Sequence, residues 1–161
     1  MKYLFVAFIT IILASYCVRA QGPTEIVPEF NFYKPDKTVF TKKDLAKGKY
    51  LFFIFFDSEC DHCQQAMQYL NQHYDEFRKA AIYLISLDSW EKITAFMNTY
   101  GSKLKGKENV TVLQDQKYEF INKFKPRKYP SMFLYSKERK LIEYEDNPGT
   151  MFRFPQEINE H

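Results

Sequence analysis

An uninterrupted apolar run, Leu51 to Phe56, stands near the middle of the chain and breaks off sharply into Asp57, Ser58 and Glu59. With no polar alternation, a run of that length predicts a central strand buried on both faces. The polar residues behind it are turn and cap formers, and Gln64, Gln65, Ala66 and Met67 are good helix formers, so a helix is expected to begin at or near Cys60. Cys63, Met67, Leu70, Tyr74 and Phe77 recur at three and four residues, the stripe of an amphipathic helix lying on a sheet. Ala81 to Leu87 reads as a second buried strand. Asp88 and Glu91 resemble a capping box for a second helix with Ile93, Phe96, Met97 and Tyr100 on its apolar face. Asn109 to Leu113 is a short strand, and Asp115 is placed to cap a third helix carrying Phe120, Ile121 and Phe124. From Pro130 the pattern changes to two strands, Ser131 to Tyr135 and Leu141 to Tyr144, joined by the polar connector 136–140.

Upstream, Pro23, Pro28 and Pro35 alternate with Phe30, Phe32 and Tyr33, which suggests an extended lead-in ending in a small hairpin around Lys34, Pro35 and Asp36. Thr41 is expected to cap a short helical turn that Gly48 stops. Downstream, Met151, Phe152, Phe154 and Ile158 could form a last apolar face. Pro155 interrupts it, so a final helix is expected to be short or absent. Strand, helix, strand, helix, strand, helix and hairpin in that order predict parallel crossovers with an antiparallel edge, an α/β fold with a mixed central sheet and helices on both faces.

Residues 1–20 read differently. Lys2 precedes an apolar run from Tyr3 to Tyr16 that is short for a membrane span, and Val18, Arg19 and Ala20 offer a cleavage site, as in a secretory signal peptide. An uncleaved N-terminal anchor is the alternative. The expected division is a signal peptide over 1–20, an N-terminal extension and hairpin over 21–48, a core over 49–148 and a C-terminal tail over 149–161. Without the first segment the formal charge of +3 falls to +1, and cations interleave with acids along the chain, which argues against nucleic acid as a partner.

Loss of Cys17 with that segment leaves only Cys60 and Cys63. A disulfide between them closes too small a loop to constrain the unfolded chain much, so the pair is better suited to chemistry than to architecture. Three residues apart at a helix start, the two sulfurs share a face. The unpaired N–H groups of the first turn favour a thiolate there, which makes Cys60 the expected attacking thiol and Cys63 the shielded, resolving one.

The buried strand ending in Cys-Asp-His-Cys at a helix start, with Tyr129-Pro130-Ser131 ahead of a late strand, resembles the thioredoxin superfamily. The stretch before the strand is similar to the TlpA/ResA-like branch of extracytoplasmic thiol-disulfide oxidoreductases, and the resemblance covers roughly residues 28 to 145. It implies a thioredoxin-like fold, Cys60 as nucleophile, Cys63 as resolving thiol, and Pro130 as a cis-proline that, with Tyr129 and Ser131, holds a substrate strand beside the disulfide. Glu59 and Asp61 stand where most members have Trp and Pro. His62 matches the Cys-x-His-Cys pattern of oxidising DsbA-type enzymes, so His62 is expected to favour the thiolate while Asp57, Glu59 and Asp61 oppose it.

The expected activity is thiol–disulfide exchange with extracytoplasmic proteins, most simply in a bacterial periplasm, with protein thiols and an upstream redox protein as partners, no cofactor, no bound metal, and a monomer as the working unit. Its direction is not readable from the sequence. Zinc would need two ligands beyond the cysteines, and only His62, His73 and His161 are available as histidines. A peroxiredoxin-like peroxidase would place Thr or Ser where Asp57 stands. A non-enzymatic thioredoxin-fold binding module with a vestigial redox pair is the rival from another class. Asn109-Val110-Thr111 is formally a glycosylation sequon on a predicted strand.

Overall fold

The computed structural model describes residues 22–160, so the expected signal peptide lies outside the described residues. A seven-stranded sheet runs through the molecule in the order β2, β1, β5, β4, β3, β6, β7. Its strands are β1 (Asn31–Tyr33), β2 (Val39–Thr41), β3 (Tyr50–Phe55), β4 (Ala80–Ser86), β5 (Val110–Gln114), β6 (Ser131–Tyr135) and β7 (Leu141–Glu145). β3, β4 and β5 are parallel, while β6, β7 and the β1–β2 hairpin pair antiparallel, so the sheet is mixed as expected. β3 and β4 are buried along their whole length, which is why neither shows polar alternation.

Helices cover both faces. On one side lie α1 (Asp61–Gln72), α2 (Trp90–Tyr100) and α4 (Arg153–Glu160), packed on Phe52, Ile54, Ile82, Leu84, Met132 and Leu134. On the other lies α3 (Glu119–Phe124), which joins the N-terminal segment over Phe53, Phe55, Tyr83, Phe133 and Tyr135. This second core is dense in rings: Phe120 and Phe124 stack at 4.2 Å, Phe30 and Phe32 at 4.4 Å, and Phe55 and Phe120 at 4.6 Å. The lead-in also pairs with the far hairpin, through a bridge between Ile26 and Lys140 and a bond from Leu141 N to Glu25 O.

Several local expectations need correction. The predicted stripe through Phe77 is broken: α1 ends at Gln72, His73 is its C-cap, and Tyr74–Phe77 winds as a tighter 3-10 turn that still buries Phe77. Ser89, not Asp88, caps α2, its hydroxyl accepting from Lys92 N, which frees the Asp88 carboxylate for another purpose. Thr41 and Asp44 do form a reciprocal capping box, but the turn closes at Leu45. Gly48 sits beyond it at φ +68°, turning the chain into β3 in a conformation that suits glycine. The last helix is present and short, one of the two expected outcomes. Pro155 is its third residue, where a backbone N–H has no partner within the helix, so the ring breaks no bond, and Phe154, Pro155 and Ile158 are buried. Ile121, predicted on the apolar face of α3, is 40% exposed.

Asp115 caps as expected but from a distance. Buried, it accepts from Lys117 N, Glu119 N and Phe120 N at 2.7–3.1 Å, while Tyr118 holds the N-cap backbone position at φ +57°. The sequon is closed. Asn109 donates to Ala80 O at 2.8 Å and accepts from the Tyr74 hydroxyl at 2.5 Å, so a glycan there would cost both bonds.

Candidate active site

The chain leaves the C-terminal end of β3 and reaches Cys60 in one tight turn. Glu59 N donates to Asp57 Oδ1 at 2.8 Å, Cys60 N reaches Asp57 O at 3.3 Å, and Cys60 becomes the N-cap of α1. Its carbonyl accepts from Cys63 N and Gln64 N at 2.9 and 3.1 Å, which starts the helix. Cys60 is partly exposed and Cys63 is buried, both as free thiols, and Cys60 packs against the core cluster that holds Cys63. Burial pushes the Cys63 thiol well above its usual range. Against that, Asp57 N–H points at Cys63 Sγ at 3.5 Å and favours the anion.

Two further residues hold this turn. Asp88 Oδ2, spared from capping, accepts from Ser58 N at 2.8 Å and from Ser86 Oγ at 3.0 Å, tying the cysteine turn to the end of β4. Lys92 of α2 reaches Glu59 at 2.7 Å, and that contact raises the Lys92 pKa. Glu59, next to Cys60 in sequence, therefore stands beside the site with its charge partly matched. Asp61 and His62 are exposed on the first turn of α1. Ser58, Glu59, Gln64, Lys92, Phe96 and Tyr100 line a shallow cavity of about 240 Å³ beside Cys60.

The predicted proline segment comes to the same end of the sheet. Register pairs Phe55 with Ser131, which sets Pro130 beside the point where β3 gives way to the cysteine turn, and the Tyr129–Pro130 bond is cis. Pro130 and Ser131 are buried, so of the three residues assigned to substrate only Tyr129 keeps side-chain surface. Its ring lies tilted against Phe55, with centroids 4.7 Å apart, and its hydroxyl is pushed up to about 12 by burial and then by Asp57 and Asp88, so it stays protonated. Ser131 Oγ donates to Lys128 O at 2.6 Å and meets the Tyr144 hydroxyl at 2.9 Å, which also accepts from Arg127 N. The serine thus braces the loop from within.

Asp88 and Tyr144 are the site residues that sequence reasoning missed. Asp88 was readable only as a cap, and Tyr144 only as a strand residue. Among the described residues no group of three or more His, Cys, Asp and Glu gathers as a metal site would require, and no helix is long and apolar enough to cross a membrane.

The profile of the AhpC/TSA family matches residues 23–144, which includes every element from β1 to β7 except the last residue of β7. The chain belongs to the AhpC/TSA family. Within that family it is similar to the thiol-disulfide oxidoreductase ResA of Bacillus thuringiensis (strain Al Hakam) and of Bacillus anthracis, each 32% identical over 104 residues. Those matches take in 63% of this chain and 56% of the relatives, so the chain spans little more than half their length. Among solved structures it is similar to the thioredoxin domain of a thiol-disulfide oxidoreductase from Bacteroides vulgatus, with TM-score 0.70 at 18% identity over 87% of this chain and 100% of that one. A secreted Mycobacterium tuberculosis disulfide oxidoreductase matches with TM-score 0.65 at 16% identity, over 82% of this chain and 96% of that one. The fold of this AhpC/TSA family member is thioredoxin-like.

Proposed function

We propose that this protein is a thiol-disulfide oxidoreductase acting on extracytoplasmic proteins, with Cys60 as nucleophile and Cys63 as resolving thiol. One observation carries the reading: a partly exposed cysteine caps a helix, with a buried cysteine one turn on in the core it packs against, beside a cis-proline loop. In the reducing direction the Cys60 thiolate attacks one sulfur of a substrate disulfide, forming a mixed disulfide and releasing the first substrate thiolate. Cys63 then gives up its proton and attacks the Cys60 sulfur, releasing the second thiolate and closing Cys60–Cys63. Two electrons pass to the substrate, and an upstream dithiol partner must restore them.

Burial keeps Cys63 protonated until the mixed disulfide forms, and the Asp57 N–H then receives the developing thiolate. Tyr129, Pro130 and Ser131 present the backbone against which a substrate strand lies, and Glu59, Asp61 and His62 tune the Cys60 thiolate. Secretion of the Mycobacterium tuberculosis neighbour and the apolar run at residues 3–16 support an extracytoplasmic site of action, in a bacterial periplasm.

The test is redox titration of the purified protein against glutathione, with mass spectrometry of the cysteine pair. Reversible cycling of Cys60 and Cys63 is expected. A potential near about −270 mV would mark a reductase and one near about −120 mV an oxidant. A Cys60 unreactive toward alkylating reagents at neutral pH would overturn the reading and leave the binding module.

A further inference from the structure

A second cavity lies away from the cysteines, and the sheet topology explains it. On the face that carries α1, α2 and α4, α2 packs its Ile93, Phe96 and Met97 into the core, with the floor strand β5 contributing Val110 and Val112. The β1–β2 hairpin extends the sheet beyond β5 but sends its buried rings, Phe32 and Phe40, to the opposite face. On the α2 side the sheet edge is left with Val39, half exposed, and with Val110 and Val112 only partly covered.

The resulting cavity holds about 540 Å³, within the range of small-molecule sites. Trp90, Ile93 and Met97 wall it on one side, Val110 and Val112 form its floor, and Leu104 closes the end. The only charged residues lining it are Lys37, from the hairpin turn, and Lys105. Neither is ion-paired among the described residues, Lys105 contacting only the neutral Asn98 amide oxygen. Asp36, beside Lys37, is turned back onto Thr38 N and Oγ at 3.0 and 2.6 Å and does not line the cavity.

We infer that this cavity binds an apolar monoanion, an aliphatic carboxylate whose chain lies against Trp90, Met97 and Val112 and whose head group meets Lys37 and Lys105. The apolar walls supply affinity for any hydrocarbon chain of fitting length. Two cations with no competing acid in the lining select the sign of the head group.

Trp90 is the only tryptophan in the sequence and lines the site, so its emission reports occupancy directly. The intact protein is titrated, below micelle formation, with decanoate, decanol and decyltrimethylammonium. Decanoate is expected to shift the emission saturably and to bind on the order of tenfold more tightly than either comparison, the scale of two solvent-facing charges. Lys37→Glu with Lys105→Glu is expected to erase that preference while decanol binding persists. Thr94→Phe, an exposed α2 position on the lining, is expected to abolish the response to all three with unchanged circular dichroism. Equal affinity for the three probes, or no saturable shift with decanoate, would overturn the proposal, and neither result bears on the exchange chemistry of Cys60.

Discussion

The two faces of the sheet share rings but in different proportions, and they do different work. The α3 face is a lattice of rings, with Phe30, Phe32, Phe53, Phe55, Phe120, Phe124, Phe133 and Tyr135 in mutual stacked and edge contacts. The α1 face mixes rings such as Phe52, Phe77 and Phe154 with Met67, Leu70, Ile54, Leu84 and Met132, flexible or aliphatic side chains, and it is there that Cys63 is buried. Aromatic pairs add directional packing to the area they bury, whereas methionine fills irregular gaps and tolerates rearrangement. The ring-dense face therefore serves as the platform, and the mixed face, with its methionines, as the side on which a thiol can change partners.

The sharpest break between the faces is chemical. Cys60→Ser is expected to reduce disulfide exchange to the uncatalysed background, and Cys63→Ser to accumulate a stable mixed disulfide visible by mass spectrometry. The next test separates platform from site. Phe124→Ala removes a fully buried ring and should cost about 3–5 kcal/mol in denaturant unfolding, with the Cys60 alkylation rate of the folded protein unchanged. Met67→Ala should cost about 2–5 kcal/mol and also alter that rate, because Met67 packs in the cluster that holds Cys63. If both variants left Cys60 equally affected or equally untouched, the division of labour would not stand.

Smaller effects probe the ties between elements. Asp88→Ala leaves Ser58 N without its acceptor and should cost about 1–3 kcal/mol, with faster alkylation of Cys63 than in the parent as the site-specific readout. Glu119 joins α3 to β1 by accepting from Asn31 N at 2.9 Å, and within α3 it accepts from Lys123 at 2.7 Å. Burial pushes its carboxyl up, but those bonds prevail and hold it below its ordinary 4.5. A lowered pKa contributes stability that is present above pH 4.5 and lost as pH falls through the folded value. Glu119→Gln should therefore flatten the acid side of the stability profile by about 1 kcal/mol or less, read from unfolding midpoints across that range.

What the sequence disclosed followed from how local each signal is. β3 and β4 announce themselves because a strand buried on both faces needs no polar positions, and the turn from Phe56 into Cys60 shows as an abrupt change of polarity. The proline loop was legible through Tyr129-Pro130-Ser131 only by resemblance, since spacing alone does not place residue 130 beside residue 57. Asp88 and Ser89 are adjacent and both are good caps, so the choice between them is settled by Ser58 N, thirty residues away in sequence. The same limit left α4 open between short and absent: Pro155 looks like an interruption until the helix start is known to fall at Arg153.

The pairing of Glu25 and Ile26 with Lys140 and Leu141 bears on how the polypeptide can be divided. Residues 22–48 give Phe30, Phe32 and Phe40 to the ring lattice and a backbone partner to the final hairpin, so they are inner structure despite their outlying position. A chain started at Lys49 would keep both thiols, yet would bare one side of its sheet to water, and self-association rather than lost chemistry would be the first sign of the missing piece.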